Sequence, residues 1–308
     1  MMKGLIFAAA LTVSTVTAPG PEGPLEGTLV EVGKGAPVVI IIPGSGPTDR
    51  DGNNKLGLNP QSYKLLAEAL AAKGVASIRV DKRGMFGSKS AIPDANKVTI
   101  ADYARDAHEW AKVAKAKTGA PCAWLIGHSE GGLVALAAGQ DKSDLCGIVA
   151  VSAMGRKFGT VLREQLRANP ANAPILAEAE KAIDELEAGR DVPSETMSPV
   201  LMGLFNPAVQ PYMKDLMAKD SAALAAALDL PLLIVSGDLD IQTPVADAKA
   251  LAAAQPKAEF VIVNGVNHVL KSPDGTDRAS NLATYTDAKR PVAPAVVDAI
   301  ADFVKAKR

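Results

Sequence analysis

The sequence predicts an α/β fold: a mostly parallel sheet with helices on both faces. Three observations lead there. From Pro37 onwards, strand-like and helix-like segments alternate. The strand-like segments are continuous apolar runs rather than alternating ones, which suits strands covered on both faces. Between Gly155 and Leu228 the alternation stops, leaving only amphipathic helical stretches broken by prolines, and it then resumes. Strand–helix alternation implies parallel strands joined by helical crossovers, and the central block reads as a helical cap inserted at about 155–228.

The elements follow in order. Val38-Val39-Ile40-Ile41-Ile42 is a β-branched apolar run that ends in the turn Pro43-Gly44-Ser45-Gly46. Ser62 to Lys73 carries Leu65, Leu66, Ala69 and Leu70 at helical spacing and stops at Gly74. Val75 to Asp81 is a strand. Thr99 to Lys117 is a helix with Ile100, Tyr103, Ala107, Trp110 and Ala114 on one face. Then come strand Ala123–Gly127, helix Gly131–Gly139 and strand Leu145–Ser152. After the cap the order is strand Leu232–Ser236, helix Val245–Ala254, strand Glu259–Asn264 and helix Pro294–Lys305.

Composition narrows the function. The chain has 308 residues, 33 Lys+Arg against 34 Asp+Glu and a net charge of −1, with only 4% aromatic residues. So even a balance offers no basic footprint and few stacking platforms, which excludes a nucleic-acid partner. Hydrophobic residues at 48% support a large core and argue against disorder. Two cysteines and three histidines are too few for a disulfide scaffold or a His-rich metal centre.

At the N-terminus, Met1-Met2-Lys3 precedes an apolar run from Gly4 to Val16, and Val16-Thr17-Ala18 places small residues as at a signal-peptidase site. The run is too short to span a bilayer. The reading is a signal peptide over residues 1–18 and an exported, periplasmic or secreted protein, or a cytoplasmic one if the segment is no signal. The Pro- and Gly-rich stretch 18–24 then reads as a linker ahead of a domain over 19–308.

The chemistry is carried by Gly127-His128-Ser129-Glu130-Gly131-Gly132, a G-x-S-x-G string between a strand and a helix. Glycines there permit a sharp strand-to-helix turn that raises the serine hydroxyl above the sheet. A serine hydroxyl needs a base. His108 lies within a helix off its apolar stripe, and His128 leaves the backbone on the side opposite Ser129. His268 follows strand Glu259–Asn264 by a short loop, at the carboxyl edge where sites of open α/β sheets form. A third group should orient the base, and in the loop after strand Leu232–Ser236 Asp240 and Asp238 compete for that place, with Asp240 favoured.

The chain resembles an α/β-hydrolase serine esterase of the small bacterial esterase and serine-aminopeptidase-like branch. The resemblance rests on Pro43-Gly44-Ser45-Gly46-Pro47-Thr48-Asp49-Arg50-Asp51-Gly52-Asn53, Arg79-Val80-Asp81-Lys82-Arg83-Gly84, the serine motif, Asp240 and Asn267-His268. The family commonly opens its first loop with His-Gly, where this chain has Pro43-Gly44. The resemblance implies a catalytic set of Ser129, Asp240 and His268, with the backbone N–H groups of Ser45 and Glu130 as oxyanion donors. It implies no cofactor and no metal. The substrate class expected is a small apolar ester, because Met197, Met202, Leu204, Phe205, Met213, Leu216 and Met217 make the cap an adaptable apolar wall. A peptidase or amidase with the same residues, or a non-catalytic binding protein on this fold, are the alternatives. Oligomeric state is left open.

Three local expectations complete the reading. Glu130 places a carboxylate beside the developing oxyanion, so a cation should hold it away, and Arg50 or Arg83 is the expected supporting partner. Asp49-Arg50-Asp51 either lines the site or braces the loop, and Asp81–Arg83 is read as structural. Cys122 and Cys146 lie at one sheet end, where a disulfide is possible, but two buried free thiols are expected.

Overall fold

The computed structural model describes residues 11–307. Its sheet has eight strands: β1 (Thr12–Ala18), β2 (Leu25–Glu31), β3 (Val38–Ile42), β4 (Ala76–Val80), β5 (Ala123–His128), β6 (Leu145–Val151), β7 (Leu232–Gly237) and β8 (Glu259–Val263). Their order is β1-β2-β4-β3-β5-β6-β7-β8, with the β1–β2 and β2–β4 pairings antiparallel and the other five parallel. From β3 onwards each strand and flanking helix agrees with the sequence reading to within a residue.

The helices are α1 (Ser62–Ala72), α2 (Ile100–Thr118), α3 (Glu130–Ala138), α4 (Phe158–Arg167), α5 (Leu176–Glu187), α6 (Met202–Phe205), α7 (Gln210–Met217), α8 (Ser221–Ala226), α9 (Val245–Ala254), α10 (Arg278–Ala283) and α11 (Pro294–Ala306). The apolar run of β3 explains how they are divided between two layers. Val38, Ile40 and Ile42 pack into one core with residues of α2, α3 and α9, while Val39 and Ile41 face a second core with α1 and α11. A strand buried on both sides has no polar face to offer, which is why its sequence does not alternate.

The segment Gly155–Leu228 contains only helices and irregular chain. Leu162, Ala179, Ile183, Leu186, Met197, Leu201, Phe205, Met213 and Met217 form a third core, separate from the two beneath it. Of the methionines expected to line a pocket, Met197, Met213 and Met217 are instead buried in this third core.

Two features depart from the sequence reading. Met1 to Ala10 lie outside the described residues, but Thr12–Ala18, set aside there as export signal, forms an edge strand that pairs with β2 along its whole length. Val16 and Ala18 are buried against the main core. The Pro- and Gly-rich stretch after Ala18 is accordingly a tight connection between two antiparallel strands rather than a linker. The second departure is the bridge between Cys122 and Cys146, which replaces the expected free thiols. Parallel pairing places Ala123 opposite Leu145, so the two cysteines meet, with Cα atoms 5.2 Å apart.

Candidate active site

Four strand ends build the site at the carboxyl edge of the sheet, where parallel strands leave a crevice. β5 delivers Ser129 in a turn that only a crowded, glycine-lined backbone can make. Ser129 has φ 55° and ψ −121°, a conformation that costs a non-glycine residue energy and persists only where neighbours impose it. Gly127 and Gly131 allow the turn to close, since a Cβ on Gly127 would lie 2.1 Å from the Gly131 carbonyl oxygen. The Ser129 N–H donates to Val151 O at 3.0 Å, pinning the turn to β6.

β7 leads into the loop that carries Asp240. Its carboxylate accepts from the N–H groups of Gln242 (2.8 Å) and Thr243 (2.9 Å). Oδ2 lies 2.9 Å from His268 Nδ1. Burial alone would raise the Asp240 pKa, but the His268 ring and these N–H donors outweigh it and hold it below its ordinary value. A carboxylate can only accept, so Nδ1 carries the proton and Nε2 keeps its lone pair for the cavity. Asp238 is instead exposed and caps the Gly265 N–H at 2.6 Å. The loop after β8 holds His268 by its neighbour Asn267, fully buried, whose amide donates to Thr284 Oγ1 at 2.7 Å.

Ser129 and His268 line one cavity of about 260 Å³ with Gly44, Ser45, Tyr63, His128, Thr243 and Tyr285. Among the described residues the two make no hydrogen bond to each other, a contact that in free enzymes often tightens only when substrate binds. The helical segment 155–228 adds Phe158, Leu162, Gln165 and Leu204 to the wall. Leu204 alone comes from the residues expected to form it.

β3 supplies the first loop. A Cβ on Gly44 would lie 3.1 Å from Ser129 Cβ, a contact that would push the serine aside by a few tenths of an ångström, so glycine suits this close approach. The Gly44 N–H donates to the Tyr63 hydroxyl at 3.1 Å, and Tyr63 Oη lies 2.9 Å from His128 Nδ1. His128 Nε2 lies 2.8 Å from His268 O. Burial, reinforced by the nearby His268 ring, pushes the His128 pKa down to about 3, so the ring is neutral. Its Nε2–H then donates to the carbonyl and its Nδ1 accepts from Tyr63. His128 is thus a strut between the first loop and the His268 backbone. His108 lies far off, at the end of α3, 3.0 Å from Ala138 O.

The model of the alpha/beta hydrolase family matches residues 39–279. The chain belongs to the alpha/beta hydrolase family. Esterase EstD of Thermotoga maritima is 26% identical over 249 residues, covering 78% of this chain. The chain spans only about half the length of that relative, 56%. A thermophilic esterase from Thermogutta terrifontis superposes with a TM-score of 0.57 at 19% identity, over 96% of this chain and 99% of that one. The alpha/beta hydrolase GrgF from Penicillium sp. sh18 gives 0.60 at 20% identity, over 96% and 99%.

The supporting arginines need correcting, for neither pairs with Glu130. Arg50 binds Glu26 of β2 and Asp81, the latter at 3.1 Å. Arg83 takes Asp106 with two parallel bonds of 2.6 and 2.7 Å and Asp102 at 3.1 Å. Asp102 and Asp106 stand one turn apart on α2, a spacing that presents both to one guanidinium. Adjacent side chains leave the backbone on opposite sides, so once Arg83 turns to α2 its neighbour Lys82 faces the serine turn. Lys82 Nζ is the cation beside Glu130, at 3.7 Å. Asp49 and Asp51 brace their own loop: Asp49 accepts from the Asp51 and Asn53 N–H groups, and Asp51 pairs with Arg79 at 3.0 Å. The signal for Lys82 was present in Asp81-Lys82-Arg83. The signal for Tyr63, a lone aromatic in an amphipathic helix, was not distinguishable from core.

Proposed function

We propose that this protein hydrolyses carboxylic esters through an acyl-enzyme on Ser129. The observation that carries the reading is the pairing of His268 Nδ1 with a buried Asp240 carboxylate at 2.9 Å, with His268 lining the same cavity as the strained Ser129. Nε2 of His268 takes the Ser129 proton as Oγ adds to the ester carbonyl. The tetrahedral oxyanion receives the N–H groups of Ser45 and Glu130, preorganised donors aimed at the charge that develops. His268 returns the proton to the leaving alcohol, and water attacks the acyl-enzyme by the same path in reverse. Esterase relatives on the same fold support the ester over other acyl bonds. A cavity of about 260 Å³ bordered by Phe158, Leu162 and Leu204 supports a small, apolar acyl group.

The test is a panel of nitrophenyl esters and aminoacyl amides, with fluorophosphonate labelling of wild type and Ser129→Ala. Ester turnover and labelling that both vanish in the variant are expected. Faster amide turnover would make the protein a peptidase, and an unlabelled wild type would make it a binding protein on this fold.

Export is part of the same reading. The Cys122–Cys146 bridge supports it, since structural disulfides persist in oxidising compartments. Cleavage after Ala18 would delete β1 together with the buried Val16 and Ala18. The mass of the protein recovered from an export-competent host decides between a start at Pro19 and an intact edge strand.

A further inference from the structure

Lys82 is almost fully buried, its side chain 5% exposed, under the first loop. Its nearest acceptor is not a carboxylate. Nζ donates to the Gly44 carbonyl oxygen at 2.7 Å, while the Glu130 carboxylate stands 3.7 Å away and the Tyr103 ring lies 5.6 Å off. Taking a lysine out of water is costly, and neutralising Glu130 alone would not require the shorter bond to go to a neutral carbonyl. The opposite side of Gly44 is held too, by Tyr63 through the Gly44 N–H.

The Gly44 carbonyl and the Ser45 N–H belong to one peptide unit. That unit is planar and trans, so its C=O and N–H point in opposite directions, and fixing one fixes the other. Among the described residues no protein acceptor takes the Ser45 N–H. We propose that Lys82 is a positioning residue for the oxyanion hole: by pulling the Gly44 carbonyl inward, it aims the Ser45 N–H outward at the reacting oxygen. Glu130 compensates the buried charge and, through its own N–H, supplies the second donor, so one ion pair ties both donors together. The inference rests on the ester-hydrolysis reading above.

Glu130→Gln is compared with the double variant Lys82→Met/Glu130→Gln, which removes the bond to Gly44. The double variant strands no buried charge, whereas Glu130→Gln alone leaves the buried Lys82 ammonium without its carboxylate. Relative to Glu130→Gln, the double variant is expected to lose about 10-fold or more in kcat with KM within about threefold, since a misaimed donor is felt in the transition state. Its affinity for an alkyl boronic acid, whose adduct on serine carries an oxyanion, should weaken in step, while affinity for the product carboxylic acid holds. Equal kcat and equal boronate affinity in the two variants would overturn the proposal. Should the double variant not fold, Lys82→Arg keeps the charge beside Glu130 but replaces a compact ammonium with a planar fork. A fall in kcat at unchanged melting temperature supports positioning, whereas full kcat in folded Lys82→Arg overturns it. Wild type that turns over no ester yet binds the boronate would defeat the ester reading instead and leave this comparison standing.

Discussion

The cavity has two walls built on different terms. The sheet wall is made of four strand ends, those of β3, β5, β7 and β8, and its polar groups are tied into it: Asp240 by two N–H donors and His268, Gly44 from both sides, His128 between Tyr63 and the His268 carbonyl. The cap wall is apolar apart from Gln165 and is backed by a core of its own, centred on Ile183, Leu186 and Phe205. Groups that move protons and stabilise charge need placement to a fraction of an ångström, which cooperative packing on the sheet provides. On the ester-hydrolysis reading, a wall that only has to fit an acyl group needs shape alone. Changes on the sheet wall should therefore strike turnover, and changes on the cap wall should strike selectivity.

The sharpest break of that comparison lies between two aspartates two residues apart. Asp240→Asn keeps the side-chain shape but turns an acceptor-only group into one that also donates, which disfavours the His268 tautomer with a proton on Nδ1. A loss of about 10⁴-fold in kcat is expected, the scale of the equivalent change in serine proteases. Asp238→Asn touches only the Gly265 N–H and should stay within about twofold, as surface changes usually do. The reverse ranking in steady-state kinetics would remove Asp240 from its role.

Arg83 is next in size and separates bracing from chemistry. Its guanidinium is nearly buried against Asp106 and Asp102. Arg83→Met strands those carboxylates, and breaking a buried pair on one side costs about 3 kcal/mol or more. Denaturant unfolding should show that loss, while KM for short esters holds. A change in KM without loss of stability would return Arg83 to the substrate site.

Much of this was legible in sequence, and what was not has physical causes. The parallel strands announce themselves because both faces are buried, and Ser129, Asp240 and His268 fall at strand ends that the alternation already places. β1 was missed because the apolar run it closes reads as an export signal, and β2 because a near-edge antiparallel strand tolerates polar residues such as Glu26 and Thr28. Missing β2 also hid Glu26, the partner that draws Arg50 away from Glu130. The partner of Glu130 was anticipated as a cation but assigned to the wrong side chain, because which of Lys82 and Arg83 faces the serine turn depends on a rotation fixed by Asp102 and Asp106 across the fold. The disulfide needed the β5–β6 pairing, which no local pattern encodes.

On the cap wall, Phe158→Ala opens space beside Leu162 without touching a polar group. Each methylene accommodated or refused in an apolar pocket is worth about 10-fold or more in kcat/KM. The ratio of hexanoyl to acetyl ester turnover should therefore rise by about that factor, with the acetyl rate little changed. An equal fall for both esters would show that the cap, too, holds the reacting groups in place.

The smallest effect is a test of whether the sheet wall keeps His128 neutral. Its folded pKa is depressed to about 3, whereas in an unfolded chain an imidazole titrates near 6.5. Between those values the unfolded state binds a proton that the folded state refuses. Stability conferred by this site is then fully present above pH 6.5 and is lost as pH falls toward 3, at about 1.4 kcal/mol per pH unit. His128→Gln has no such proton to bind, so its urea-unfolding free energy should decline less steeply over the same range. At pH 5.5 wild type should have lost about 1.4 kcal/mol more than the variant, each measured against its own value at pH 7.5. Parallel curves would mean that His128 accepts a proton in the folded state. A protonated ring could no longer accept from Tyr63, and the strut joining the first loop to the His268 backbone would then open in mild acid.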